Sequence, residues 1–159
     1  RLTLNPLVHL DPLGSISLLV IGFGWGKPVP VNPNHFENPK LDNLKVALAG
    51  PFSNLILALI FAGLQWTFRP AAGSIAGVLG TEMILLNLSL MIFNLIPVPP
   101  LDGSKIIHLF LGEEEFLNFE RYGFYILLGL VGLSLLGFPV LGTIIEVPVK
   151  ALFHLLTGM

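Results

Sequence analysis

Three stretches of the chain, residues 46–68, 83–101 and 122–145, carry no charged residue. A helix needs about 20 apolar residues, rising about 1.5 Å each, to cross a bilayer's hydrocarbon core. Each stretch therefore predicts a transmembrane helix. A fourth uncharged stretch, 12–26, is shorter and holds Gly14, Gly22, Gly24 and Gly26; it predicts a marginal or re-entrant segment. After it, Pro28, Pro30, Pro33 and Pro39 forbid a continuous helix and predict an extended interfacial loop or edge strand reaching residue 43. Thr81 and Glu82 read as an N-cap and an acidic first turn, which leaves residues 71–80 as a small-residue connection. Residues 104–111 predict a short helix, Pro139 a kink in the third span, and residues 147–156 an amphipathic interfacial helix. No internal repeat is present. The predicted fold class is an all-α integral membrane protein. It is a polytopic bundle in one membrane-embedded domain over residues 1–159, with three clear transmembrane helices.

Composition supports the pattern. Hydrophobic residues make up 53% of the chain and charged residues 11%, against about 25% charged in soluble domains, and mean hydropathy is +0.82. A net charge of −2 and the lack of a basic stripe argue against nucleic-acid binding. With no cysteine, disulfides, thiolate zinc sites and a cysteine nucleophile are excluded. The sequence opens on Arg1 without a signal-peptide pattern, and is expected to be part of a longer polypeptide. Lys27, Lys40 and Lys45 precede the first span and only Arg69 follows it, while Lys105 and Arg121 follow the second. The positive-inside rule then puts the loop after the second span near the cytoplasmic face.

That loop carries the most informative residues. Asn94-Leu-Ile-Pro-Val-Pro-Pro-Leu-Asp102-Gly103-Ser104 ends an apolar run in a proline-stiffened segment with a carboxylate. Two readings fit Asp102. It is part of a helix stop, since Pro ends helices and Asp-Gly makes turns, or it is an oxygen ligand for Zn²⁺ in a site completed by imidazoles. His9, His35, His108 and His154 do not complete such a set, because no two have the i, i+4 spacing of paired helix ligands. Asn94 reads either as a donor to an oxyanion or an extended substrate, or as an interhelical hydrogen-bonding amide like Asn87. Ala49-Gly50-Pro51-Phe52-Ser53-Asn54 combines small residues, a kinking proline and an amide, as close helix packing requires. Glu82 reads as a capping residue.

Residues 49–54 resemble the small-Gly-Pro-x-x-Asn motif of the site-2 protease family of intramembrane zinc metalloproteases. Residues 94–103 resemble that family's Asn-x-x-Pro-x-x-Pro-x-Asp-Gly motif. Residues 1–14 and 23–33 resemble the connecting segment of its compact bacterial and archaeal branch, which lacks a PDZ domain. The resemblance implies that Asp102 is a zinc ligand, that Asn94 places the substrate or stabilises the oxyanion, and that Asn54 lines the active-site region. It also implies an H-E-x-x-H helix, supplying two histidine ligands and a glutamate base, which this sequence lacks and which is expected upstream. The implied activity is regulated intramembrane proteolysis of transmembrane protein substrates in a prokaryotic cell membrane, with residues 1–159 inactive on their own. The segment 27–33 would offer the unwound substrate an edge to pair with. Two rivals remain: an inactive relative that binds transmembrane helices, and a transporter with a discontinuous binding helix. The few spans and missing repeat weigh against the transporter. The oligomeric state is not legible.

Overall fold

Prolines placed at helix boundaries organise the chain. The computed structural model describes residues 5–21, 24, 26–27, 36–71 and 73–158, in two compact units, residues 1–36 and 37–159. In the first unit, a 3-10 turn at Pro6–Val8 precedes helix α1, Pro12–Ile21. Asp11 caps α1 by accepting from the Gly14 N–H at 2.9 Å, with Pro12 at the first helical position, where its missing N–H costs nothing. Ten residues span about 15 Å, half a bilayer, as expected of a marginal segment. The Lys27 N–H donates to the His9 carbonyl at 2.9 Å, and Leu10 pairs with Gly26 in an antiparallel bridge. The expected substrate edge lies mostly outside the described residues.

The second unit holds α2, Pro39–Phe68, α3, Ile75–Leu95, α4, Ser104–His108, α5, Glu113–Leu135, and α6, Val140–Thr157. Helix α2 begins earlier than the apolar pattern implies. Asn38 caps it, Pro39 sits at its start, and the Asp42 carboxylate accepts from the Asn38 N–H at 2.9 Å. Residues 39–43, expected in the extended loop, are therefore helical. At thirty residues, α2 is about 45 Å long and runs unbroken through the buried Pro51. It ends at Arg69, whose backbone is left-handed (φ 43°), just before Pro70.

Helix α3 also starts earlier than Thr81 and Glu82 imply. Its N-cap is Ser74, whose hydroxyl accepts from the Gly77 N–H at 3.1 Å. Glu82 is therefore an exposed residue inside the helix and caps nothing. The small residues before it are packing surface rather than connection. The Gln65 amide donates to the Gly77 carbonyl at 3.0 Å and to the Thr81 hydroxyl at 3.2 Å, and a side chain at Gly80 would collide with Gln65. The core joins Ala58 and Ala62 of α2 to Ile84, Leu88 and Met91 of α3 and Val149 of α6. The two alanines, one turn apart, let the backbones approach closely. Asn87 satisfies its own amide within α3, donating to the Met83 carbonyl at 2.7 Å, and among the described residues makes no bond to another helix.

Among the described residues, three helices are long and apolar enough to cross a membrane: α2, α3 and α6. The expected number stands, but the third such helix is residues 140–157, and residues 122–145 do not form one helix. The uncharged run breaks after Leu135, where Gly137 takes φ 92° and Pro139 precedes the next helix. The segment expected to lie at the interface is thus within a helix long and apolar enough to span, whose Glu146 and Lys150 neutralise each other one turn apart. Ile144, near the start of α6, shares a cavity with Leu95 and Ile96. Leu156 and Thr157, at its end, share another with Arg69 and Pro70. Helix α6 therefore runs antiparallel to α3.

Helix α5 instead follows the loop that joins α3 to α4. Phe116, Glu120, Gly123, Leu127 and Leu130 recur at helical spacing along one face. Phe116 stacks on His108, Gly123 abuts Pro99, and Leu130 shares a cavity with Pro97 and Val98.

Candidate functional site

The site begins where α3 stops. Ile96 precedes Pro97, and proline excludes the residue before it from helical backbone; Ile96 accordingly takes φ −60°, ψ 127°. The chain then reverses through a series of tight turns. The Val98 N–H donates to the Ile96 carbonyl at 2.8 Å, the Leu101 N–H to the Val98 carbonyl at 3.0 Å, and the Ser104 N–H to the Leu101 carbonyl at 3.1 Å. Pro99–Pro100, within the second turn, is a cis peptide. The Gly103 N–H closes the loop by donating to the Asn94 carbonyl at 2.7 Å. The loop's backbone is thus largely satisfied internally.

Glycines let this loop pack from three directions. A Cβ at Gly103 would overlap the carbonyl oxygens of Leu95 and Ile96, and one at Gly123 of α5 would overlap the Pro99 ring. At Gly50 of α2, a Cβ would lie 3.2 Å from Asp102 Oδ2. Asp102 is thereby set against α2 at the motif that contains Asn54. Asn54 lies one turn beyond Gly50 on the same face of the helix. The main chains of Asn94 and Gly103 are brought together as well.

Asp102 is half-buried, and among the described residues its carboxylate accepts no hydrogen bond and forms no ion pair. Burial pushes its carboxyl upward from the ordinary value, and the positive charge of Lys105 works against that shift. The side chains of Asn54 and Asn94 are also half-buried, and neither has a hydrogen-bond partner among the described residues.

A polar cluster joins the short helix α4, beside this loop, to the start of α5. Lys105 Nζ lies 2.5 Å from Glu120 Oε1 and 4.9 Å from the centre of the Phe116 ring. The buried His108 stacks on Phe116 with centroids 3.9 Å apart, and its Nε2 lies 3.2 Å from Glu113. Lys40 of α2 donates to the Leu111 carbonyl at 2.6 Å. His108 is thus engaged on α5 rather than with Asp102. His35 lies outside the described residues.

As a zinc donor set the residues fit in part. Asp102 offers one hard oxygen without a protein partner, whereas a catalytic site needs three protein ligands. No group of three or more His, Asp or Glu side chains converges among the described residues. Sequence reasoning overlooked Gly123, Lys105 and Glu120, whose importance arises only when α5 lies along the loop. The repeat of Phe116, Glu120 and Gly123 at helical spacing was the available signal.

Comparison with known proteins bears on the same loop. The model of Peptidase family M50 matches residues 70–134, which include it. Three relatives carry provisional names as zinc metalloproteases. YwhC of Bacillus subtilis is 43% identical over 138 residues, covering 80% of this chain and 63% of its own length. A Methanocaldococcus jannaschii protein is 42% identical over 95 residues, covering 60% and 49% respectively. Rip2 of Mycolicibacterium smegmatis is 30% identical over 118 residues, covering 71% and 45%. The chain thus spans about half to two thirds of the length of these relatives. No solved structure matches it.

Proposed function

Because this chain belongs to peptidase family M50, we propose that it forms the carboxylate-bearing part of an intramembrane zinc endopeptidase that cleaves transmembrane proteins. The observation that carries this reading is the half-buried Asp102 carboxylate, without a protein partner among the described residues, on a loop whose backbone is closed on itself. Asp102 is one zinc ligand. Two imidazoles and a glutamate base come from polypeptide outside this sequence, in keeping with the share of the relatives' lengths that the chain spans.

The chemistry that zinc supplies when bound is Lewis acidity, which polarises a peptide carbonyl and acidifies water. The residues of this chain bind and orient. Asp102 is held against Gly50 of α2 and would supply one carboxylate oxygen to the metal. The unpartnered amides of Asn94 and Asn54 are available to a peptide carbonyl as hydrogen-bond donors, holding a locally unwound substrate strand or the charge that develops on it. Lys40, Lys105 and Arg121 lie on the elements at this end of the bundle, which supports a cytoplasmic position for Asp102 in a prokaryotic cell membrane.

The test uses the full-length protein in detergent, with zinc measured by elemental analysis and cleavage measured on a transmembrane peptide. Asp102→Ala is expected to lose both zinc and activity. Asn94→Ala is expected to keep zinc while cleavage slows by about a hundredfold, the scale of one oxyanion donor. Full zinc occupancy in Asp102→Ala would overturn the reading.

A further inference from the structure

Lys105 lies three residues after the proposed ligand, and residues at that spacing around a helical turn are neighbours. The backbone is already turned this way, since the Lys105 N–H donates to the Asp102 carbonyl at 3.0 Å. Lys105 is also the cation whose charge acts on the Asp102 carboxyl. Yet its ammonium does not pair with that carboxylate. It is drawn away to Glu120 at 2.5 Å and over the Phe116 ring at 4.9 Å. Glu120 and Phe116 stand one turn apart on α5, so the side chain is held at two points of one helix face.

We propose that Glu120 is a positioning residue for metal binding: by holding Lys105 on α5, it keeps a competing cation off the Asp102 carboxylate. The inference rests on the reading of Asp102 as a zinc ligand. Without Glu120, Lys105 is free to close an ion pair with Asp102, and zinc must then displace an ammonium to bind. Lys105 and Glu120 side chains are 22% and 38% exposed. The penalty should therefore match a partly solvated ion pair, about fivefold in zinc affinity. A bracing role for the Lys105–Glu120 pair makes a different prediction, because cutting the pair from either side would loosen α4 equally.

The experiment measures zinc affinity by chelator competition in the full-length protein. It also records the visible absorption of the cobalt(II)-substituted form, which reports ligand geometry independently of activity. Glu120→Gln should weaken zinc binding about fivefold. Lys105→Met should bind zinc at least as tightly as wild type, with an unchanged cobalt spectrum. The double variant should return to the Lys105→Met level, because no competitor remains. Equal losses in both single variants, a double variant no better than Glu120→Gln, or an unaffected Glu120→Gln would each overturn the proposal. Should Glu120→Gln fail to fold, Lys105→Met alone decides. A wild-type protein without zinc, or Asp102→Ala with its full complement, would overturn the zinc-ligand reading and this inference with it.

Discussion

At Gly103 a methyl group would occupy the space of two main-chain carbonyl oxygens, those of Leu95 and Ile96. Neither oxygen can rotate aside as a side chain could. Gly103→Ala is therefore expected to destabilise the protein by roughly 1–3 kcal/mol, the usual cost of overpacking, as read by unfolding in detergent. It should also weaken zinc binding, because the neighbouring Asp102 would move with the loop. Unchanged stability would show that the loop relaxes freely. The Asp-Gly pair was legible in the sequence as a motif, but the reason for its glycine was not. That reason depends on where the end of α3 lies after the chain has reversed. Asn94 divides in the same way. Its amide was legible as candidate chemistry, whereas its carbonyl closes the loop onto Gly103, a backbone role that no side-chain pattern reveals.

Among the elements, α5 departs furthest from the pattern of the sequence. An uncharged run from 122 to 145 reads as one span, yet Gly137 and Pro139 divide it, and the charged first half of α5 belongs to the same helix as its apolar end. Periodicity over a longer window places Phe116, Gly123 and Leu127 on one buried stripe, which composition alone obscures. Two glycines of this helix make opposite predictions. Gly123→Ala drives a methyl group into the Pro99 ring. It should lower stability and loosen the loop that carries Asp102. A Cβ at Gly129 meets nothing within 4 Å, so Gly129→Ala should stabilise by up to about 1 kcal/mol through helix propensity. The pair is compared by unfolding in detergent; equal effects would contradict the packing of α5 on the loop. The helix starts at Pro39 and Ser74 were partly legible, since Asn-Pro and Ser are cap residues. Both were missed, the first because the preceding prolines resemble an extended loop and the second because the small residues after it resemble a connection.

For the helical bundle of residues 37–159, the described helices imply a definite topology. The start of α2, the Asp102 loop, α4 and the first turn of α5 gather at one end, while Arg69 and the last turn of α6 gather at the other. With α6 antiparallel to α3, the break at Gly137 falls at the Asp102 end. Residues 1–159 include no cysteine, so single cysteines placed among them report membrane sidedness against the unsubstituted protein as control. Cysteines replacing Glu114 and Phe138 should react with an impermeant reagent from the same face, and one replacing Arg69 from the opposite face. Reaction of position 138 on the Arg69 face would restore a spanning α5 and overturn this arrangement. The number of spans was legible from the uncharged runs, and the order of motifs carried the candidate site. The helix that holds the third was not, because hydropathy alone does not show that Gly137 and Pro139 divide the uncharged run.

The hydrogen bond from Gly103 to Asn94 also bears on exchange. A main chain tethered beside Asp102 to the end of α3 leaves that residue little room to shift. Admission of a peptide and departure of a bound ion would therefore depend on some other wall giving way, with the aspartate acting as the fixed jaw of the vice.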